Sequence, residues 1–181
     1  MVLDDWLLGK DAEIHSQFVT RHDLAHDGRW GNVQTVNGKL KPVLNVKAGE
    51  RLRIRMINVA NGRVFSPALQ GVNAQVIAVD GLLVAKPFSL QRFPLAPGNR
   101  IDLDIIIPKD SKGRRLEIKN TFSRRPSTIA YLQVDNHEII DTPSFDLPKA
   151  ASFPLWSGAI DQPIAHEFLL NAKRGGAHGI Q

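Results

Sequence analysis

Residues 51–56 alternate without a break: Arg51, Arg53 and Arg55 are interleaved with Leu52, Ile54 and Met56. A period of two places the apolar set on one face of an extended chain and the guanidinium groups on the other. Residues 100–107 repeat the pattern, with Ile101, Leu103, Ile105 and Ile107 on one face and Arg100, Asp102 and Asp104 on the other. A strand that is apolar on one face only must close its core against a second half-apolar sheet. That requirement excludes most helical folds at the outset.

Further short strands are expected on both sides of these two. Residues 2–8 read as an edge strand interrupted by Asp4 and Asp5, and residues 30–36 lead into an Asn37-Gly38 reversal. Residues 42–47, 64–69, 74–80, 88–95, 116–121 and 129–134 complete the set, with Gly49, Gly71, Gly81 and Pro97-Gly98 as punctuation. Residues 9–29 are polar and histidine-dotted; they read as a long loop with a helical turn near residues 11–18. No segment is long enough to be a helix crossing a parallel sheet. Short strands at even spacing, split by Gly and Pro, indicate an all-β, antiparallel sandwich or barrel.

Beyond about Asp135 the composition changes. Pro143, Pro148 and Pro154 make residues 141–156 poor material for a central strand. Residues 166–171 resemble one more strand, and residues 173–179 are Gly-rich. The expected division is a sandwich domain over residues 1–140 and a connector over residues 141–181. At 181 residues the chain is long enough to bury a core, and its net charge of +5 comes largely from arginines scattered along strands. No block of like charge marks a nucleic-acid arm, and no apolar run approaches the ~20 residues that span a bilayer. Neither nucleic acid nor membrane is therefore expected as a partner. Met1 is followed at once by a strand-like Val-Leu-Asp-Asp-Trp, so no signal peptide is expected within these residues.

The chemistry-bearing residues are sparse. There is no cysteine, which removes disulfides and thiolate chemistry. It also removes a blue copper site, which needs a cysteine thiolate with two histidines. The six histidines are His15, His22, His26, His137, His166 and His178, and no two form a His-x-His pair. His22 and His26, flanked by Asp23 and Asp27, would share one face of a helix and could hold a metal. Two ligands are too few for a closed zinc shell, and a solvated loop is the plainer expectation. Arg51, Arg53 and Arg55 lack the interleaved aromatics of a single-strand binding surface. They are expected to pair across the sheet with Asp102 and Asp104, and Arg124-Arg125 is expected to behave likewise. Residues 175–179, Gly-Gly-Ala-His-Gly, lack the Lys-Ser/Thr of a phosphate loop. Ser66, Ser89 and Ser157 lie in no Gly-x-Ser-x-Gly elbow. No catalytic, cofactor-binding or metal-binding residue is assigned.

Five phrases stand in a particular order: Leu-Asp-Asp-Trp at residues 3–6, Asn-Gly at 37–38, Gly-Glu-Arg-Leu-Arg-Ile-Arg-Met-Ile-Asn at 49–58, Val-Ile-Ala-Val-Asp-Gly at 76–81 and Ala-Pro-Gly-Asn-Arg-Ile-Asp-Leu at 96–103. Together they resemble the middle, cupredoxin-like domain of a three-domain multicopper oxidase of the laccase type. The resemblance covers residues 2–134, with a weaker echo to residue 181. Asn73 stands where many relatives have histidine, at a position that is not a copper ligand there. The resemblance implies a Greek-key β-sandwich that holds no copper itself. It also implies a parent with copper in its first and third domains, which would be this chain's partners. That parent would oxidise a phenol, a metal ion or another small reductant while reducing dioxygen to water, in the periplasm or outside the cell. The competing expectation is a free-standing β-sandwich binding or adhesion module.

Overall fold

The computed structural model describes residues 1–25, 28–144, 146, 149–150 and 167–169. Ten strands carry the fold: β1 (Val2–Trp6), β2 (Val33–Val36), β3 (Val43–Ala48), β4 (Arg51–Asn58), β5 (Pro67–Leu69), β6 (Ala74–Val79), β7 (Leu82–Ser89), β8 (Arg100–Ile106), β9 (Arg115–Asn120) and β10 (Ser127–Ile139). They form two sheets, ordered β2-β1-β4-β8-β6-β7 and β3-β10-β9-β5. The fold is an all-β, cupredoxin-like Greek-key sandwich.

The alternation read from the sequence builds the core directly. In β4 and β8, Ile54, Met56, Ile101, Leu103 and Ile105 are buried, and Ile107 just beyond joins them. The second sheet answers with Val46, Ala48, Leu116, Ile118, Ala130, Leu132 and Val134. Burying a large aliphatic side chain contributes about 1.5–3 kcal/mol before the entropy of ordering is counted. Of three register shifts in the ladders, two place consecutive side chains in the core. One lies between Thr128 and Ala130 in β10, where Ile129 and Ala130 are both buried. The other lies between Val76 and Ala78 in β6, where Val76, Ile77 and Ala78 are all buried. An extra residue in one strand is the expected way for consecutive side chains to escape the two-face rule.

Several expectations are corrected. The sheets are mixed rather than antiparallel, because β1 runs parallel to β4 and β3 runs parallel to β10. The first strand is not at an edge: β1 lies between β2 and β4. Asp4 and Asp5 made it look exposed, but Asp5 is buried in an ion pair described below. The strand placed at residues 88–95 runs instead from Leu82 to Ser89. Asp80 and Gly81 both have positive φ, 49° and 90°. They close a two-residue hairpin that pairs Val79 with Leu82 at once. Gly81 also lies against Arg100, whose Nη2 is 2.6 Å from where a Cβ would stand. Pro87 is tolerated because β7 is an edge strand.

The one α-helix among the described residues, α1 (Arg21–Ala25), lies after residues 11–18 rather than within them. Its start is fixed by a reciprocal cap: Asp23 N–H donates to Thr20 Oγ1 at 3.1 Å, and Thr20 N–H donates to Asp23 Oδ2 at 3.0 Å. The strand expected at residues 166–171 is described only at residues 167–169, which carry no strand. The Gly-rich stretch at 173–179 lies outside the described residues.

β10 ends at Ile139, and the chain beyond it is fastened to the β3–β4 turn. Ile140 N–H donates to Ala48 O at 2.9 Å, and Thr142 Oγ1 donates to Gly49 O at 2.9 Å. Lys109 pairs with Asp141 at 2.9 Å. Gly49 is required here: its φ is +84°, and a Cβ would stand 2.0 Å from Ile140 O.

Exposed carboxylates at this end of the sandwich are stabilised in the charged form. The Asp135 carboxyl is held below its ordinary range by the backbone N–H of His137, and further by that of Glu138. A hydrogen bond from Lys109 lowers Asp141 in the same way. Carboxyls depressed on folding stabilise the protein above their unfolded pKa, and that contribution disappears as pH falls through the folded value. Stability should therefore decline on acidification below about pH 4. Asp135→Asn should make that acid limb shallower in urea titrations at stepped pH. An identical acid slope in the variant would contradict this.

Candidate functional site

The arginine stripe is an ion-pair ladder. Arg53 faces Asp104 and Arg55 faces Asp102 in the β4–β8 register, yet the closest pairs are diagonal. Arg51 Nη2 reaches Asp104 Oδ2 at 2.7 Å, and Arg53 Nε donates to Asp102 Oδ2 at 2.9 Å. Arg55 Nε lies 3.4 Å from the same Asp102 oxygen. The right-handed twist of paired strands brings such diagonal neighbours together. The expected pairing is present, and the face is partly covered. Pro143 and Ser144 lie over it and enclose a cavity of about 240 Å³ with Arg51, Arg53, Ile77 and Asp104. Each exposed or half-exposed pair stabilises by only about 0–1 kcal/mol.

Arg124 and Arg125 do not follow that expectation. The arginines in ion pairs among the described residues are Arg51, Arg53, Arg55 and Arg63. Both Arg124 and Arg125 are exposed in the loop between β9 and β10, outside any strand.

A buried brace, absent from the sequence expectations, ties together three segments far apart in the chain. Arg63 Nε donates to Asp5 Oδ2 at 2.7 Å, and the two side chains are 10% and 1% exposed. Gly31 N–H donates to the same oxygen, and Arg63 Nη2 donates to Gly31 O. The guanidinium lies over the Trp30 ring, 4.8 Å from its centre. Asn58, wholly buried, donates from Nδ2 to Arg63 O at 2.7 Å and to Leu95 O at 2.8 Å, and its Oδ1 accepts from Ala60 N–H. Asn120 Oδ1 accepts from the N–H groups of Ser66 and Phe122. Asp80 accepts from Arg100 N–H at 2.8 Å and from Asn99 Nδ2 at 3.1 Å. The Val-Asp-Gly and Pro-Gly-Asn-Arg phrases therefore meet at one end of the sandwich.

The remaining candidates are dispersed. His15 Nδ1 accepts from Gln17 N–H, and His137 is exposed at the far end of β10. His22 is on α1, whereas His26 and Asp27 lie outside the described residues, as do Ser157, His166 and His178. Ser66 is buried and bonded through its backbone, Ser89 closes β7, and exposed Asn73 accepts from Gln75. Among the described residues, no three His, Cys, Asp or Glu side chains converge as a metal site. The donor set does not fit copper, because the whole chain has no thiolate and no His-x-His pair.

A multicopper oxidase family model matches residues 2–112. The chain belongs to the multicopper oxidase family. It is 33% identical over 82 residues to a protein named cell division protein FtsP from Proteus mirabilis, covering 45% of this chain and 17% of that one. It is 41% identical over 59 residues to Laccase-3 of Thanatephorus cucumeris, covering 33% of this chain and 10% of that one. Its structure resembles that of a multicopper oxidase from Pseudomonas thermotolerans, with a TM-score of 0.68 and 27% identity, over 84% of this chain and 34% of that one. This family member thus spans only a fraction of the length of its relatives. Among its described residues, no helix is long and apolar enough to cross a membrane.

Proposed function

We propose that the chain is a copper-free structural domain of a multicopper oxidase, holding copper-bearing neighbours in register. The observation that carries this reading is a family sandwich without the donors that copper requires, combined with a rigid buried brace. Asp5, Gly31, Asn58, Arg63 and Asn120 fix loops at the sandwich ends through buried hydrogen bonds. A misplacement of ~1 Å at a reacting centre costs heavily in rate, so rigidity is what a bracing domain contributes. The partners in this reading are the first and third cupredoxin domains of the same polypeptide. Copper would be theirs, and the parent would oxidise a phenol, a metal ion or another small reductant with dioxygen, in the periplasm or outside the cell.

The likeness to proteins named for cell division supports a second reading, in which the parent shares the fold but serves as a binding protein. The reading frame around the chain separates the two. His-x-His codons upstream, a His-Cys-His run downstream, and a product that holds copper and consumes dioxygen are expected. Cupredoxin-like flanks without those motifs, and a copper-free product, would favour the binding protein. Stop codons close to both ends would point to a free-standing module and overturn the proposal.

A further inference from the structure

Arg124, together with Arg92, borders a trough that the bracing role does not use. It is open to solvent, encloses about 940 Å³, and is walled by Leu90, Arg92, Pro94, Phe122, Arg124 and Pro126 over a floor that includes Ser66 and Thr121. Among the described residues, Arg92 and Arg124 are its charged groups and no carboxylate lines it. Neither arginine is ion-paired among the described residues. Arg92 is held with φ +48°, and Phe122 is 43% exposed with its ring tilted against Trp30 at 6.0 Å. The trough therefore offers two desolvatable cations beside an apolar wall stiffened by two prolines.

We propose that this trough docks an acidic polypeptide segment that also presents an apolar side chain. The argument is charge complementarity: two guanidinium groups without counter-ions among the described residues favour carboxylates, which they can bind bidentately. Small-molecule sites generally bury most of their ligand in a concave pocket, whereas this trough is open and suits an extended chain. Single-stranded nucleic acid is disfavoured because the wall carries one aromatic ring, Phe122, rather than a succession of stacking platforms.

The test uses the purified 181-residue chain and a fluorescein-labelled peptide of alternating glutamate and phenylalanine, read by fluorescence anisotropy. Saturable binding that weakens with added salt is expected. The double variant Arg92→Glu/Arg124→Glu should weaken it about tenfold or more. Lys10→Glu/Lys39→Glu makes the same change in net charge at exposed cations outside the trough, and should weaken binding by less than about threefold. Circular dichroism of both variants checks that the sandwich is intact. Equal losses in the two double variants would reduce the binding to net charge and overturn the proposal. Equal affinity for a glutamine-phenylalanine peptide would overturn it as well. So would an oligothymidine that binds more tightly than the peptide and is lost with Arg92→Glu/Arg124→Glu, which would assign the trough to nucleic acid.

Discussion

Asp5→Ala should lower the unfolding free energy by about 3–5 kcal/mol, read from urea titrations at neutral pH. The change leaves the Arg63 guanidinium 10% exposed without its carboxylate, and takes away the acceptor of Gly31 N–H. An uncompensated buried charge is the costly outcome of breaking such a pair, more than the loss of the attraction itself. The exposed Lys109–Asp141 pair is the internal comparison: Asp141→Ala should cost less than about 1 kcal/mol. If the two variants lose equally little, water reaches the Asp5–Arg63 pair and the brace is weaker than its burial implies.

Phe65→Ala should cost about 3–5 kcal/mol, and should do so without changing where the sheets pair. Phe65 is completely buried, and it exchanges backbone hydrogen bonds with Leu95 at 3.1 and 2.7 Å. The substitution spares that bridge and leaves a cavity where the ring was, beneath the link between β4 and β5. Phe122→Ala, at a side chain 43% exposed, should cost far less by the same measurement. Similar losses at the two positions would mean that the core around Phe65 collapses readily.

These two residues mark what the sequence could and could not disclose. The β4 and β8 faces were legible because alternation is a local signal: Arg51, Arg53, Asp102 and Asp104 lie on one side whatever else the chain does. The diagonal ion pairs follow from that placement plus the twist. Asp5 looked like an interruption of an exposed strand because its partner, Arg63, is distant in sequence and no local pattern links them. β7 was misplaced because its start depends on positive φ at Asp80, a non-glycine residue, while the apolar pattern around Phe88 and Leu90 drew the expected strand too far along. The parallel pairings of β1 with β4 and β3 with β10 leave no local trace either. Arg124 and Arg125 resembled the other surface arginines, yet they lie in a loop, and pairing across a sheet needs a neighbouring strand.

The family assignment rests on phrases at turns, and the structure gives them a physical reason. Asp80-Gly81 and Asn99-Arg100 hydrogen-bond to one another, so the residues most characteristic in sequence also lock one end of the sandwich. Asn58, at the end of the longest phrase, fixes the loop carrying Arg63. None of these contacts needs a metal, which is why a chain without cysteine can keep the family's fold.

Unfolding of the purified chain, followed with and without excess copper and paired with equilibrium dialysis, tests the central claim most directly. A ligand present at a hundred times its Kd adds about 2.7 kcal/mol to the stability of the state that binds it. The prediction is an unchanged midpoint and far less than one retained copper per chain. One tightly held copper per chain, with a midpoint raised to match, would contradict it.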